Sequence, residues 1–97
     1  MSKAPKNLQA AEVVNVIEVD KKIESLKSNP NDSKAKDELK AKIKKLKEIP
    51  TNSGRRTSQI AQGYEALGDE VMARAYVDST RMYQPKHPFI KKYESKK

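Results

Sequence analysis

The chain of 97 residues has room for about one small domain, and apolar and charged residues each make up 35% of it, so any core must be thin. It contains no cysteine, which excludes disulfides, thiolate nucleophiles and cysteine metal sites. The whole formal net charge of +8 comes from two stretches, residues 33–49 and 85–97, where lysines outnumber acids. This uneven charge predicts a surface that attracts an acidic protein, a nucleic acid or another anionic surface.

The N-terminal segment, residues 1–7, has no apolar period and is predicted to be disordered. The apolar run that follows is interrupted by Glu12, Asn15 and Glu18, which makes it too polar for a signal peptide or a membrane span. We therefore expect a soluble, cytoplasmic protein, with a membrane disfavoured as its partner.

The first predicted element is a helix over residues 8–28, in which Val13, Val16 or Ile17, Ile23 and Leu26 form an apolar stripe. The β-branched run over residues 13–19 also fits a strand, because branched side chains prefer a pleated surface. No second convincing strand is available to pair with it, so the helix is favoured.

A second helix is predicted over residues 34–48, with Ser33 as its N-cap. Its narrow apolar stripe must pack on another element, on a partner or on a second copy of the chain, because a helix this polar is marginal alone. The members of that stripe are Ala35, Leu39, Ile43 and Leu46. Residues 50–56 read as a loop within one domain that extends over residues 8–90.

The best-determined stretch is a helical hairpin made of residues 58–67 and 70–84. Thr57 or Ser58 is the predicted cap of its first helix, and Gly68 suits a left-handed C-cap. Asp69 follows as the N-cap of the next helix, so the chain reverses within about two residues and the helices lie antiparallel. The complete prediction is an all-α fold of about four helices followed by a basic tail, residues 91–97.

This hairpin resembles a tetratricopeptide repeat over residues 54–87. The positions that carry the resemblance are Tyr64, Leu67, Gly68, Asp69, Ala73, Tyr76 and Pro85, with Ala61 at the small position where the two helices touch. Thr57 and Thr80 depart from the pattern, since an aromatic and a small apolar residue are usual there. The resemblance implies a function in docking a peptide or helix in a groove.

Basic residues are the main candidates for binding. Those predicted to contact an acidic partner or phosphate groups lie in helix two, in the loop and in the tail: Lys40, Lys44, Lys45, Lys47, Arg55, Arg56, Lys86, Lys91 and Lys92. Lysines dominate, which favours phosphate attraction without base readout over bidentate recognition.

Three tyrosines, Tyr64, Tyr76 and Tyr83, are candidates for a groove or for stacking on bases, with packing at the edge of the core as the simpler interpretation. The sequence Arg55-Arg56-Thr57-Ser58 also matches a basic pattern that kinases read before a serine, although a capped loop explains it equally well.

No catalytic set can be assembled. His87 is the only histidine, no metal-ligand pair accompanies it, and the three glycines are scattered instead of forming a phosphate loop. The sequence therefore predicts neither an enzyme, nor a metal site, nor a cofactor.

We expect instead a small interaction, adaptor or assembly module that binds an acidic partner. The alternative is a nucleic-acid-binding accessory protein that makes mainly non-specific phosphate contacts. In the tail, Phe89 and Ile90 are expected to fold back on the hairpin and complete its core.

Overall fold

The computed structural model describes residues 6–51 and 53–95, with side chains from residue 8 onward, and this part of the chain is helical without strands. The helices are α1 (Lys6–Ser28), α2 (Ser33–Glu48), α3 (Gly54–Leu67), α4 (Glu70–Tyr83) and α5 (Pro88–Ser95). The all-α prediction is confirmed, and residues 13–19 are helical. The count of four was too low, because residues 91–95 belong to α5 instead of a plain tail.

The start of α2 differs from the prediction by one residue. Asp32, and not Ser33, is the N-cap, and its Oδ1 accepts hydrogen bonds from the amides of Lys34 and Ala35 at 3.0 and 3.2 Å. A carboxylate accepts more strongly than a hydroxyl and carries the charge that the helix N-terminus favours.

The start of α3 differs by a full turn, since the helix begins at Gly54 and shortens the predicted loop over residues 50–56. Thr57 and Ser58 do not cap it. The Thr57 hydroxyl donates back to the carbonyl groups of Ser53 and Gly54, at 3.2 and 3.3 Å, as hydroxyls inside a helix do.

The turn between α3 and α4 is as predicted. Gly68 has φ +83° and closes α3 in the left-handed conformation, and the Asp69 carboxylate accepts from the amide of Met72 at 3.1 Å. These two adjacent residues reverse the chain, so α3 and α4 lie antiparallel.

Contacts between named residues fix the directions of the other helices. Glu12 meets Ser53 while Val19 lies beside Gly63, so α1 and α3 run in the same direction. Ion pairs from Lys22 to Glu38 and from Lys42 to Glu18 make α1 and α2 antiparallel. It follows that α2 and α4 also run in the same direction, with α3 packed against α1, α2 and α4.

The core has two parts. The larger joins α1, α2 and α3 through side chains such as Val19, Leu39, Ile43 and Ile60. The smaller lies beyond α3, where Phe89 and Ile90 of α5 pack on Ala61 and Val77. The prediction that the tail folds back on the hairpin is thus confirmed.

The apolar stripe of α1 was only partly predicted. Ile23 and Leu26 are buried, but Val13 and Ile17 are 38% and 49% exposed, and Val19 lies in the core in their place. Of the predicted disordered start, residues 1–5 lie outside the described part, and Lys6 already begins α1. In the tail, residues 96 and 97 also lie outside it.

The two hairpins share a register. The buried positions of α2, Leu39, Ile43 and Leu46, recur 34 residues later in α4 as Ala73, Val77 and Thr80. The two residues that depart from the repeat pattern meet there, because Thr80 Oγ1 lies 2.8 Å from Thr57 Oγ1 in a buried hydrogen bond. Each hydroxyl also lies within hydrogen-bond distance of a carbonyl oxygen in the preceding turn, that of Ser53 for Thr57 and that of Tyr76 for Thr80, so both buried polar groups have partners.

Among the described helices, none combines the length and the apolar character needed to cross a bilayer.

Candidate protein-interaction site

The lysines of α2 divide into two flanks. On the flank beside α1, Lys42 pairs with Glu18 at 3.4 Å, and Glu38 pairs with Lys22 at 3.0 Å, so the charges there are balanced. On the other flank, Lys36, Lys40, Lys44 and Lys47 follow one another at spacings of four, four and three residues, which places them on one line along the helix.

We call these four residues the lysine row. Lys36, Lys40 and Lys44 form no ion pair with any residue in the described part of the chain, and Lys40 and Lys44 are exposed. Four of the seven lysines of the first basic stretch therefore lie on this flank.

At its end the lysine row meets a pair of tyrosines. The rings of Tyr64 on α3 and Tyr76 on α4 are stacked, with their centroids 6.0 Å apart and their planes at 25°. The Lys47 ammonium lies 5.7 and 5.8 Å from the two centroids, within the range of a cation–π contact. It also donates a hydrogen bond to the Tyr64 hydroxyl at 3.1 Å.

This hydrogen bond raises the pKa of Lys47 above its ordinary value, although partial burial of the ammonium acts in the opposite direction. Lys47 is therefore cationic at neutral pH. We call Tyr64 and Tyr76 the tyrosine pair. Both tyrosines are half-buried, and the faces of their rings contact each other and Lys47.

Arg55 and Arg56 lie in the first turn of α3, where both make contacts within the chain. Arg56 Nε donates to the carbonyl of Thr51 at 2.8 Å. Arg55 lies 3.7 Å from the carboxylate of Glu12, a residue of α1 that is only 4% exposed. Their predicted role as phosphate contacts stays a prediction, and their observed contacts are structural.

Glu12 closes the connection between α2 and α3. Its carboxylate accepts hydrogen bonds from the hydroxyls of Thr51 and Ser53, the latter at 3.1 Å. We call this group, with Arg55, the Glu12 clasp. A buried carboxylate is tolerated here because hydrogen-bond donors and a cation surround it.

The remaining predicted residues lie apart from the lysine row. Lys45 is on a different side of α2, and Lys86, Lys91 and Lys92 are carried by α5 and the turn before it, beyond the smaller core. Tyr83 is 45% exposed and stands on α4 two turns beyond Tyr76, on the same flank.

Ser58, the serine of the kinase-like pattern, is 2% exposed. Its hydroxyl donates to the carbonyl of Arg55 at 3.1 Å and lies 3.2 Å from His87 Nε2. His87 Nδ1 in turn accepts from the amide of Phe89 at 3.1 Å. Burial lowers the pKa of His87, so the neutral ring holds the start of α5 against α3.

A groove of about 420 Å³ lies on the opposite side of the hairpins, between α1, α3 and α5. Its lining is mixed, with apolar residues such as Ile23 and Phe89 beside Gln62 and Lys92. Gln59, close by on α3, has a buried side-chain nitrogen without a hydrogen-bond partner among the described residues.

No group of three or more histidine or carboxylate side chains in the described part of the chain could hold a metal ion. Comparisons with known protein families, with curated proteins and with solved structures find no match to this chain.

Sequence reasoning found most members of the site but not their arrangement. Lys36 was not among the predicted contacts, although its spacing from Lys40 places it in the same line. The meeting of Lys47 with Tyr64 and Tyr76 joins three helices, and no local pattern signals such a contact.

Proposed function

We propose that this chain is a non-enzymatic interaction module that binds an acidic segment of a partner protein on the lysine row. The observation that carries the proposal is the contrast between the two flanks of α2: one has its charges paired within the chain, and the other does not. Unpaired lysines along one line attract carboxylates and raise the rate of encounter with an acidic surface.

The tyrosine pair supports a protein partner over a nucleic acid. Stacking on bases needs exposed aromatic faces beside cations, whereas Tyr64 and Tyr76 are half-buried and stacked on each other. Tyrosines are enriched at the centres of protein interfaces.

The register of 34 residues between α2 and α4 supports the resemblance to tetratricopeptide repeats, whose period has this length. We propose that the resemblance extends to the α1–α2 hairpin, which makes the chain two stacked units closed by α5. Such scaffolds serve in binding and assembly.

The test is a titration of the ¹⁵N-labelled protein with a short peptide rich in Glu and Asp, at low ionic strength. We expect chemical-shift changes along the lysine row and at the tyrosine pair. The double variant K40E/K44E should bind at least about tenfold more weakly, because two attractions of about 0.5–1 kcal/mol each are lost and repulsions take their place.

The matched control is K34E/K45E, which makes the same change of charge at exposed positions of α2 outside the lysine row. It should retain most of the binding. Equal losses in the two variants, or shift changes spread over all lysines, would contradict the proposal.

A single-stranded oligonucleotide serves as the competing ligand. If it binds more tightly than the acidic peptide, with an affinity that falls steeply with salt, the nucleic-acid alternative replaces the protein partner.

A further inference from the structure

The first half of α1 is apolar on two sides. At about 100° per residue, the buried side of this helix is centred on Val19 and Ile23, which belong to the larger core. A second apolar set lies within an arc of about 100° on the side roughly opposite, at spacings of three, one and three residues. We call it the α1 face: Ala10, Val13, Val14 and Ile17.

The α1 face is open to solvent although it is apolar. Val13, Val14 and Ile17 are 38%, 57% and 49% exposed, and Ala10 is exposed as well. The helices on which α1 packs, α2 and α3, contact its other side. A contiguous patch of exposed apolar side chains marks an interaction surface more often than scattered apolar residues do.

Charged residues limit the length of the α1 face. Asp20, Lys21 and Glu24 are exposed on the same side of the helix, one to two turns further along. The apolar part therefore extends over about 11 Å, from Ala10 to Ile17 at 1.5 Å per residue. Its partly exposed side chains offer far less than the about 800 Å² that each partner buries in a standard interface. The α1 face therefore suits an occupant of the same small size, such as one helix, and holds it weakly.

The α1 face is complementary to itself. Its spacings of three, one and three residues read the same in both directions, so a two-fold axis between Val13 and Val14 places a second copy on it in antiparallel orientation. Ala10 of each copy then lies opposite Ile17 of the other, a small side chain against a large one. The valines of both copies meet around the axis, so the apolar side chains cover one another.

Charge favours the antiparallel orientation over the parallel one. In a parallel pair each residue faces its own copy, so Asp20 meets Asp20 and Glu24 meets Glu24. In the antiparallel pair Asp20 is level with residue 7 of the other copy, and the two Asp20 positions are about 20 Å apart along the helix. This distance exceeds the Debye length of about 8 Å at physiological ionic strength, so their repulsion is screened. Residues 3–7, with which the two acids are level, contain two lysines and no acid.

We propose that the α1 face binds a second copy of this chain, in an antiparallel dimer with its two-fold axis between Val13 and Val14. The lysine row lies on the flank of α2 that faces away from α1, so both rows stay accessible in the dimer. The inference goes beyond the proposed function and does not depend on it, because the two use different residues.

Sedimentation equilibrium of the complete chain, from about 10 µM to about 1 mM, covers the range of weak association expected for so small an interface. The mean mass should rise from that of one chain toward that of two. Ile17→Glu should raise the dissociation constant at least about tenfold, because each copy then brings an unpaired carboxylate into the apolar contact.

The matched control is Ser25→Glu, which makes the same change of charge at an exposed position of α1 outside the α1 face. It should dimerise like the unaltered chain. Circular dichroism of both variants verifies that each keeps its helical content, so that a lost dimer is not a lost fold.

The absence of cysteine from the chain allows the orientation to be tested by single introduced cysteines. A disulfide needs Cα atoms about 4.4–6.8 Å apart, whereas the two copies of Ala10 are about 10 Å apart along the helix in the antiparallel dimer. Under mild oxidation, Ala10→Cys alone and Ile17→Cys alone should therefore stay uncross-linked, and a mixture of the two variants should give a disulfide-linked dimer.

Four outcomes would overturn the inference. The first two are the mass of one chain at every concentration, and equal dissociation constants for Ile17→Glu and Ser25→Glu. The third is cross-linking of Ala10→Cys alone as fast as in the mixture, which would indicate a parallel pair. The fourth is loss of the dimer in K40E/K44E, which would place the contact on α2. A dimer that persists in K40E/K44E while this variant still binds the acidic peptide as tightly as the unaltered chain supports the inference and refutes the proposed function alone.

Discussion

The α1–α2 hairpin and the α3–α4 hairpin bury equivalent helical positions with different chemistry. α2 fills them with Leu39, Ile43 and Leu46, and ion pairs with α1 close the edge of the interface. α4 fills them with Ala73, Val77 and Thr80, so less apolar volume lies between its helices and a hydrogen bond to Thr57 adds to the contact.

The same set of buried helical positions thus serves a different purpose in each hairpin. Large branched side chains give the front hairpin its stability by burial alone, which leaves one flank of α2 free to carry unpaired lysines. Small residues allow α3 and α4 to approach closely, which brings Tyr64 and Tyr76 together at 6.0 Å.

The largest expected effect comes from exchanging large and small side chains at equivalent buried positions of α2 and α4. Leu39 is fully buried, so Leu39→Ala should lower the free energy of unfolding by about 2–5 kcal/mol through loss of contacts and a residual cavity. At the equivalent position, Ala73→Leu should lower it by about 1–3 kcal/mol, because the added atoms do not fit between closely packed helices.

Urea denaturation followed by circular dichroism measures both changes. Ala41→Leu, at an exposed position of α2, is the control and should change the free energy of unfolding by less than about 0.5 kcal/mol. A neutral Ala73→Leu would mean that α3 and α4 are not closely packed.

The next effect concerns the hydrogen bond between the threonines. Thr80→Val and Thr57→Val should each lower the free energy of unfolding by up to about 1 kcal/mol, because the hydrogen bond between the hydroxyls is lost while the remaining hydroxyl keeps a carbonyl partner. In the double variant both hydroxyls are gone, so the total loss should be smaller than the sum. A double-mutant cycle from urea denaturation gives the coupling, and strict additivity would argue against the hydrogen bond.

A smaller effect, in the opposite direction, is expected at Gln59. Its buried side-chain nitrogen has no hydrogen-bond partner among the described residues, so Gln59→Met should raise the free energy of unfolding by up to about 1 kcal/mol. Gln62→Met, one turn further along and only half-buried, is the control and should be close to neutral. A loss of stability in Gln59→Met would show that the amide has a partner.

The smallest and most local effect depends on pH. Because burial lowers the pKa of His87, the folded state binds fewer protons than the unfolded state just below the ordinary pKa of about 6.5. The contribution of neutral His87 to the free energy of unfolding is therefore complete above that pH. It is lost as the pH falls through the lowered pKa of His87 in the folded state.

Protonation of Nδ1 also removes the acceptor for the Phe89 amide. We expect the NMR signals of Phe89 and Ile90 to shift with the His87 titration while those of α2 do not. His87→Asn, which can still accept that hydrogen bond, should remove the pH dependence, and its persistence in this variant would assign it to another group.

Much of this fold could be predicted from the sequence, because the turns carry specific residues. Gly68 and Asp69 fixed the reversal of α3 into α4, and Pro30 separated α1 from α2. The start of α3 could not be predicted in this way. Thr57 and Ser58 are good caps and also tolerated inside a helix when their hydroxyls donate to the preceding turn, and only packing decides between the two.

The candidate site was predicted residue by residue and not as an arrangement. Composition identified the lysines of α2, but which of them stay unpaired depends on the acids that α1 brings to its side, such as Glu18. Val13 was assigned to the apolar stripe, and Val16 and Ile17 stood as alternatives, for a similar reason: on a helix that is apolar on more than one side, only the neighbouring helix selects the buried face, and here it selects Val16.

The Glu12 clasp has a consequence for the kinetics of folding. It joins residues 39 and 41 positions apart in the chain, whereas the threonine hydrogen bond joins residues 23 apart. Closing the longer loop costs more chain entropy until the α1–α2 hairpin has formed and brought its ends together.

The clasp should therefore close after the rate-limiting step. Glu12→Gln should speed unfolding and leave the folding rate almost unchanged, a φ-value near zero, while variants of the hairpin interiors give higher values. In that order of events the clasp forms late and holds α1 in place. It therefore affects the rate of unfolding more than the rate of folding.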